Sequence, residues 1–100
     1  MYVDLRDIAQ AHVLALQEPT AGGNRFIISA GPFKWQDFVS IAHRLDGRIP
    51  EGNTSYNPSE AYHPVIYNSN KTIRELGMKY RSMEETTKDI LEDCKERGWL

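Results

Sequence analysis

The first sixteen residues constrain the fold most. Tyr2-Val3-Asp4-Leu5-Arg6-Asp7-Ile8-Ala9-Gln10-Ala11-His12-Val13-Leu14-Ala15-Leu16 reads as a short extended entry followed by an amphipathic helix. Leu5, Ile8, Ala9, His12, Val13 and Leu16 recur at spacings of three and four, which places them on one helical face. Asp4 can cap the first amides, and Asp7 puts a second negative charge in the first turn, where the helix dipole favours it. A helix of this kind must lay its apolar face against a neighbour.

The following residues supply candidate neighbours. Pro19 and the pair Gly22-Gly23 end the helical pattern. Arg25-Phe26-Ile27-Ile28-Ser29 then reads as a strand, and its three consecutive apolar residues predict burial on both faces, as in a sheet covered by helices. After the break at Gly31-Pro32, Trp35, Phe38, Val39, Ala42 and Leu45 mark the stripe of a second helix over residues 35–45, with Lys34 at the capping position. Residues 46–64 contain Gly47, Pro50, Gly52, Asn53, Asn57, Pro58 and Pro64 and are expected to be a loop, of a length that is commonly functional. Pro64-Val65-Ile66-Tyr67 predicts a second strand. Asn68 or Ser69 can cap a short helix over 71–76, and Gly77 stands where a left-handed residue is wanted. Ser82 and Glu85 form a capping box for a last helix reaching about Arg97, with Met83, Thr87, Ile90, Leu91 and Cys94 facing inward and Gly98 ending it.

The opening stretch resembles the "(F/Y)VDVRDVAxAH" segment of the extended short-chain dehydrogenases/reductases, in the subgroup of dihydroflavonol, cinnamoyl-CoA and fungal methylglyoxal (ketone) reductases. Arg25 to Ser29 is similar to that family's "GNRFI" strand. Tyr67 onward resembles its "(D/Y)NSKTxxLLGF-x-SxEETxxD" ending, so the likeness runs from Tyr2 to the C-terminus and loosens only across residues 46–64. It implies an α/β fold. The chain would be the C-terminal portion of a Rossmann-type extended reductase, a substrate-binding lobe plus one core strand, with two or three short strands among its helices. Residues 1–100 would form a substrate-binding segment without the dinucleotide-binding domain, and the first helix an internal crossover whose apolar face was shaped for that domain. The reaction implied is NADP(H)-dependent reduction of a ketone or aldehyde.

Hydride transfer to a carbonyl needs a glycine cradle for the cofactor phosphates at a helix start, a proton donor, and a cation that lowers the donor's pKa. The chain contains no G-x-x-G-x-x-G, and Gly22-Gly23 precedes a strand, the wrong order for a cradle. One Tyr-x-x-x-Lys occurs, at Tyr67 and Lys71. The catalytic version needs both residues on one helix, whereas Tyr67 is expected to end a strand. No catalytic, cofactor-binding or metal-binding residue is assigned, and no cofactor is expected to bind this chain alone. Phe33, Trp35, Tyr56 and Tyr62 are candidate apolar walls of a substrate pocket, with ordinary core or surface packing as the competing reading. His12 is expected to be a packed histidine, and His43 and His63 isolated ones, with no ligand spacing for a metal. Asp4, Arg6 and Asp7 read as cap, ion-pair former and dipole partner.

Composition closes off other classes. A formal net charge of −2 without a basic cluster leaves no footprint for nucleic acid or an anionic membrane. The single cysteine, Cys94, cannot form an internal disulfide, which favours a reducing, cytoplasmic setting. Two readings therefore stand: a reductase's substrate-lobe segment, inactive alone, or a short non-enzymatic binding or interaction module derived from that family. The Arg25 to Ser29 strand bears on both, because an apolar strand without neighbours would favour self-association.

Overall fold

The computed structural model describes all 100 residues, Met1–Leu100. Four α-helices are present: α1 (Leu5–Gln17), α2 (Trp35–Leu45), α3 (Asn70–Leu76) and α4 (Met83–Glu96), with a single 3-10 turn at Pro58–Glu60. They belong to two compact units, each assembled from two separated stretches. Unit 1 comprises Met1–Pro32 and Pro64–Arg81; unit 2 comprises Phe33–His63 and Ser82–Leu100.

In unit 1, α1 packs against α3. Asp4 caps α1 as expected, its Oδ1 accepting the Arg6 amide at 2.8 Å while the carboxylate also pairs with the Arg6 guanidinium. The side of α1 that packs is not the one the periodicity suggested. Leu5 is 80 % exposed and Leu16 89 %, whereas Asp7 and Ala11 are buried. Ala11 joins Ala21, Leu76 and Met78 in the core, with Leu14, Ala15, Phe26, Ile28 and Tyr80 packed around them. Within this unit, the small residue Ala11 and the polar Asp7 are the buried positions of α1. The long apolar residues are left on the open face.

The expected strands are a second correction. Neither 25–29 nor 64–67 is paired in a ladder, and the one bridge in the chain joins Tyr2 to Gly31. The Tyr2 amide donates to the Gly31 carbonyl at 2.9 Å, and the Ala30 amide to the Tyr2 carbonyl at 2.8 Å. A strand requires a partner to satisfy its amides, and neither stretch is paired with one here, the Tyr2–Gly31 bridge lying outside both. Ser29 is instead used from the side, its carbonyl accepting the Ser69 hydroxyl at 2.8 Å.

Helix α3 begins at Asn70 with Ser69 at the cap position, but the capping side chain is that of Asn68, which accepts the Asn70 amide at 2.9 Å. It ends at Gly77, in the left-handed region with φ 68°, where the Met78 amide closes onto the Thr72 carbonyl at 3.2 Å.

In unit 2, α2 packs against α4. Ser82 caps α4, accepting the Glu85 amide at 3.1 Å. Thr87 and Leu91 are buried and Met83 and Cys94 partly so, as the pattern predicts, but Ile90 is half exposed. Lys34, without an acceptor in its side chain, still starts α2. Its backbone amide donates to Asp37 Oδ2 at 2.7 Å, the half of a capping box that does not need a hydroxyl at the cap.

Candidate substrate-facing site

Unit 2 holds all four aromatic residues singled out as pocket walls. Phe33, Trp35 and Phe38 form one cluster at the start of α2. The rings of Phe33 and Trp35 meet edge to face at 5.2 Å, those of Phe33 and Phe38 at 5.3 Å, and Trp35 stands 6.2 Å from Phe38. Edge-to-face geometry sets the positive rim of one ring on the negative face of another. The cluster stays near the surface, with Trp35 77 % exposed. Tyr56 stands apart from it, anchored to α2 by a hydrogen bond from its hydroxyl to Asp37 Oδ1 at 2.8 Å. Tyr62 is likewise 77 % exposed and makes no ring contact. The structure thus groups Phe33 and Trp35, adds Phe38, pins Tyr56 separately and leaves Tyr62 open.

Asp37 connects these features. One carboxylate oxygen caps α2 through the Lys34 amide and the other accepts the Tyr56 hydroxyl. Burial chiefly, and then the bond to Asp37 and its negative charge, push the Tyr56 phenol above the ordinary tyrosine value of 10.0. Sequence reasoning missed Asp37. Its position three residues after Lys34 marks it as a helix-start acid, but nothing local predicts its partner nineteen residues away.

Residues 46–62 are fastened along α2. His43 Nδ1 donates to the Ile49 carbonyl at 2.6 Å, and the Gln36 side-chain amide bonds the backbone of Glu51 and Asn53. At the loop entrance Asp46 pairs with Arg48 at 2.7 Å and with Lys95 of α4 at 3.3 Å. The Arg48 side-chain and backbone hydrogen bonds, with Lys95 adding to them, hold the Asp46 carboxyl well below the usual carboxylate range. His43 is therefore a structural donor rather than the isolated residue expected.

The remaining candidates lie in unit 1. Lys71 does not face Tyr67: its Nζ bonds Asn24 Oδ1 and the Arg25 carbonyl, each at 3.2 Å, and lies 4.7 Å from the centre of the Phe26 ring. Tyr67 precedes the helix that carries Lys71, so the pair lacks the shared helix that proton transfer from a phenol requires. His12 is exposed and donates to the Ile8 carbonyl at 2.8 Å. With Ala11, Ala15, Phe26, Ile28 and Leu76 it lines an open apolar cleft of about 220 Å³. No group of three or more His, Cys, Asp or Glu is placed to hold a metal ion. No helix is long and apolar enough to cross a membrane.

The Gly22-Gly23 pair does not form a cradle for a dinucleotide. The turn at Gly22-Gly23 leads into residues 24–30, which form no helix, so no row of helix-start amides stands behind it to meet a pyrophosphate.

The fold superposes on the crystal structure of yeast methylglyoxal/isovaleraldehyde reductase Gre2 complexed with NADPH, with a TM-score of 0.83 and 28 % identity over 99 % of this chain and 30 % of that one. An uncharacterized oxidoreductase of Schizosaccharomyces pombe is 37 % identical over 99 % of this chain and 29 % of its own length. The NADPH-dependent methylglyoxal reductase Gre2 of Saccharomyces cerevisiae is 33 % identical over 88 % of this chain and 27 % of its own length. The chain belongs to the extended short-chain dehydrogenase/reductase family. It corresponds to the C-terminal part of these reductases and spans less than a third of the length of the relatives it matches. Cinnamoyl-CoA reductase 1 of Arabidopsis thaliana, 27 % identical over 99 % of this chain and 28 % of its own length, extends the match to plants. No family model matches the chain.

The α/β reductase fold expected from the resemblance is thus confirmed at the level of the family, with four helices here and no paired strand. NADPH is the cofactor named for the yeast reductase and is bound in its crystal structure.

Proposed function

We propose that this chain is the substrate-binding segment of an NADPH-dependent carbonyl reductase acting on small ketones or aldehydes, and that by itself it neither holds the cofactor nor turns over substrate. The observation that supports this reading is the match along almost the whole chain to reductases, including one crystallised with NADPH. The reductive chemistry finds no cradle and no phenol–ammonium pair among the residues here. Phe33, Trp35, Tyr56 and Tyr62 would supply apolar surface toward the substrate, while hydride and proton delivery would fall to residues outside this segment. The segment would work in the reducing cytoplasm, in keeping with the free Cys94.

We further propose that the isolated chain self-associates through the 25–29 stretch. Ile27 is 38 % exposed there and the backbone has no ladder to satisfy it.

Two measurements test the main reading. NADPH oxidation by the purified 100-residue chain with a small ketone should stay at background, and turnover above background overturns its inactivity. A chimera of the yeast reductase carrying this chain in place of its matching segment should reduce small carbonyls with NADPH. A folded chimera that binds NADPH but reduces no carbonyl overturns the substrate-binding role.

A further inference from the structure

The loop over residues 46–62 carries Tyr56 and Tyr62, and a loop of this length is free to move unless something holds it. What holds this one is a side chain acting as a strand. Gln36 Oε1 accepts the Asn53 amide at 2.8 Å, and Gln36 Nε2 donates to the Glu51 carbonyl at 2.8 Å. A carbonyl and an amide two residues apart are the groups that a residue in a neighbouring parallel strand would engage. The second hydrogen of Nε2 faces Ser40 Oγ at 3.1 Å, so the acceptor and both donors of the amide are in use. A flipped amide would set its NH2 against the Asn53 N–H and its oxygen against the Glu51 carbonyl, so only one orientation fits.

Gly52, between the two bonded residues, completes the arrangement. Its φ of +74° lies in the left-handed region, and a Cβ there would come within 2.5 Å of Gln36 Oε1 and 2.9 Å of Val39 Cγ1. Both the conformation and the close approach of Gln36 require glycine. Beyond this point the Tyr56–Asp37 bond fixes the loop again, and before it the His43–Ile49 bond does so.

We propose that Gln36 and Gly52 are positioning residues whose clasp holds the 46–62 loop as a fixed wall on the substrate side, not as a lid that closes over substrate. The wall role rests on the reductase reading; the clasp itself does not. Amide hydrogen exchange on the full 100-residue chain tests the clasp without cofactor or substrate. Asn53 should exchange at least about tenfold more slowly than an unstructured amide. Gln36→Ala should abolish that protection while leaving the Ala42 and Leu91 amides within about twofold. Gln36→Glu, which keeps an acceptor for Asn53 but sets its second oxygen against the Glu51 carbonyl, should restore only part of it. Gly52→Ala, which keeps residue 36 unchanged but pushes its side-chain amide away, should expose Asn53 as Gln36→Ala does. Unprotected Asn53 in the native chain, or protection indifferent to residue 36, overturns the clasp and leaves the reductase reading untouched. If Gln36→Ala unfolds unit 2, the other two variants decide.

The chimera with the yeast reductase tests the wall. There Gln36→Ala should raise KM for the carbonyl severalfold with kcat within about twofold, and Gln36→Glu, which keeps only the bond to Asn53, should reverse part of the change. A KM that stays fixed while Asn53 loses protection overturns the wall. A folded chimera that binds NADPH but reduces no carbonyl with Gln36 in place overturns the substrate-binding reading and with it the wall, while the clasp stands on exchange alone.

Discussion

Arg81 closes unit 1 by placing two donors on the carboxylate of Asp7, 74 positions earlier in the chain. Its backbone amide meets Oδ2 at 2.8 Å, and its guanidinium bonds Oδ1. Asp7 is 1 % exposed, so the first turn of α1 and the last residue of the unit share a desolvated charge. Leaving a buried charge without its partner costs far more than the pair contributes when intact.

Asp7→Ala should therefore destabilise unit 1 by about 3 kcal/mol, near the low end for buried pairs because the Arg81 side chain remains one-third exposed. Arg81→Lys keeps the backbone bond and a positive charge and should cost only about 1 kcal/mol. Urea unfolding followed by circular dichroism checks both, and equal losses would show that the shared carboxylate is not the anchor.

Asp46 and Tyr56, both in unit 2, set opposite edges of a pH window. The Asp46 carboxyl is lowered by its bonds to Arg48, so the stability it contributes is present above the ordinary carboxylate range, from about pH 5 upward, and is lost as pH falls through its depressed value. Tyr56 is raised by burial and by Asp37, so its contribution is whole below pH 10.0 and is lost as pH rises through its higher value. The difference in unfolding midpoint between the native chain and Asp46→Asn should be flat from pH 5 to 9 and shrink in acid. The difference for Tyr56→Phe should shrink only in strong alkali.

Two glycines should respond oppositely to alanine. Gly77 ends α3 with φ 68°, so Gly77→Ala should cost about 1–2 kcal/mol of left-handed strain although no atom stands in the way of the methyl group. Gly47 has open space and no positive φ, so Gly47→Ala should be neutral or add up to about 1 kcal/mol by restricting the unfolded chain. Chemical denaturation of the two variants side by side provides the comparison.

Self-association should follow the unpaired stretch. Sedimentation velocity over a hundredfold concentration range should show growth in the native chain and much less in Ile27→Lys, which sets a charge on an exposed edge position. Unchanged growth in the variant would move the contact elsewhere, with the open face of α1 at Leu5 and Leu16 next to test.

Local chemistry was legible in the sequence. The caps at Asp4 and Ser82, the left-handed Gly77 and the spans of α2 and α4 all depend on residues within a few positions of one another. The family was legible for the same reason, since its motifs are contiguous runs. What depended on distant partners was not. The periodicity of α1 located an apolar face, but the Asp7–Arg81 pair and the small residue Ala11 decided which side packs within unit 1. The run from Phe26 to Ile28 has strand composition, yet a ladder is a property of two segments and the second one is not beside it. In the candidate site, aromatic residues could be named from the sequence, but Gln36, Asp37 and Gly52, which fix the loop around Tyr56, acquire their roles only when residues fifteen to nineteen apart meet.

The way the two units share the chain has a consequence for how it can be divided. The polypeptide leaves unit 1 after Pro32, returns at Pro64 and leaves again after Arg81. No single cleavage releases either unit whole and free of the other. A nick inside the 46–62 loop would leave each fragment with part of both cores, so the pieces would be expected to elute together until a denaturant parts them. For an engineer or a recombining genome, this stretch of one hundred residues is inherited as one block.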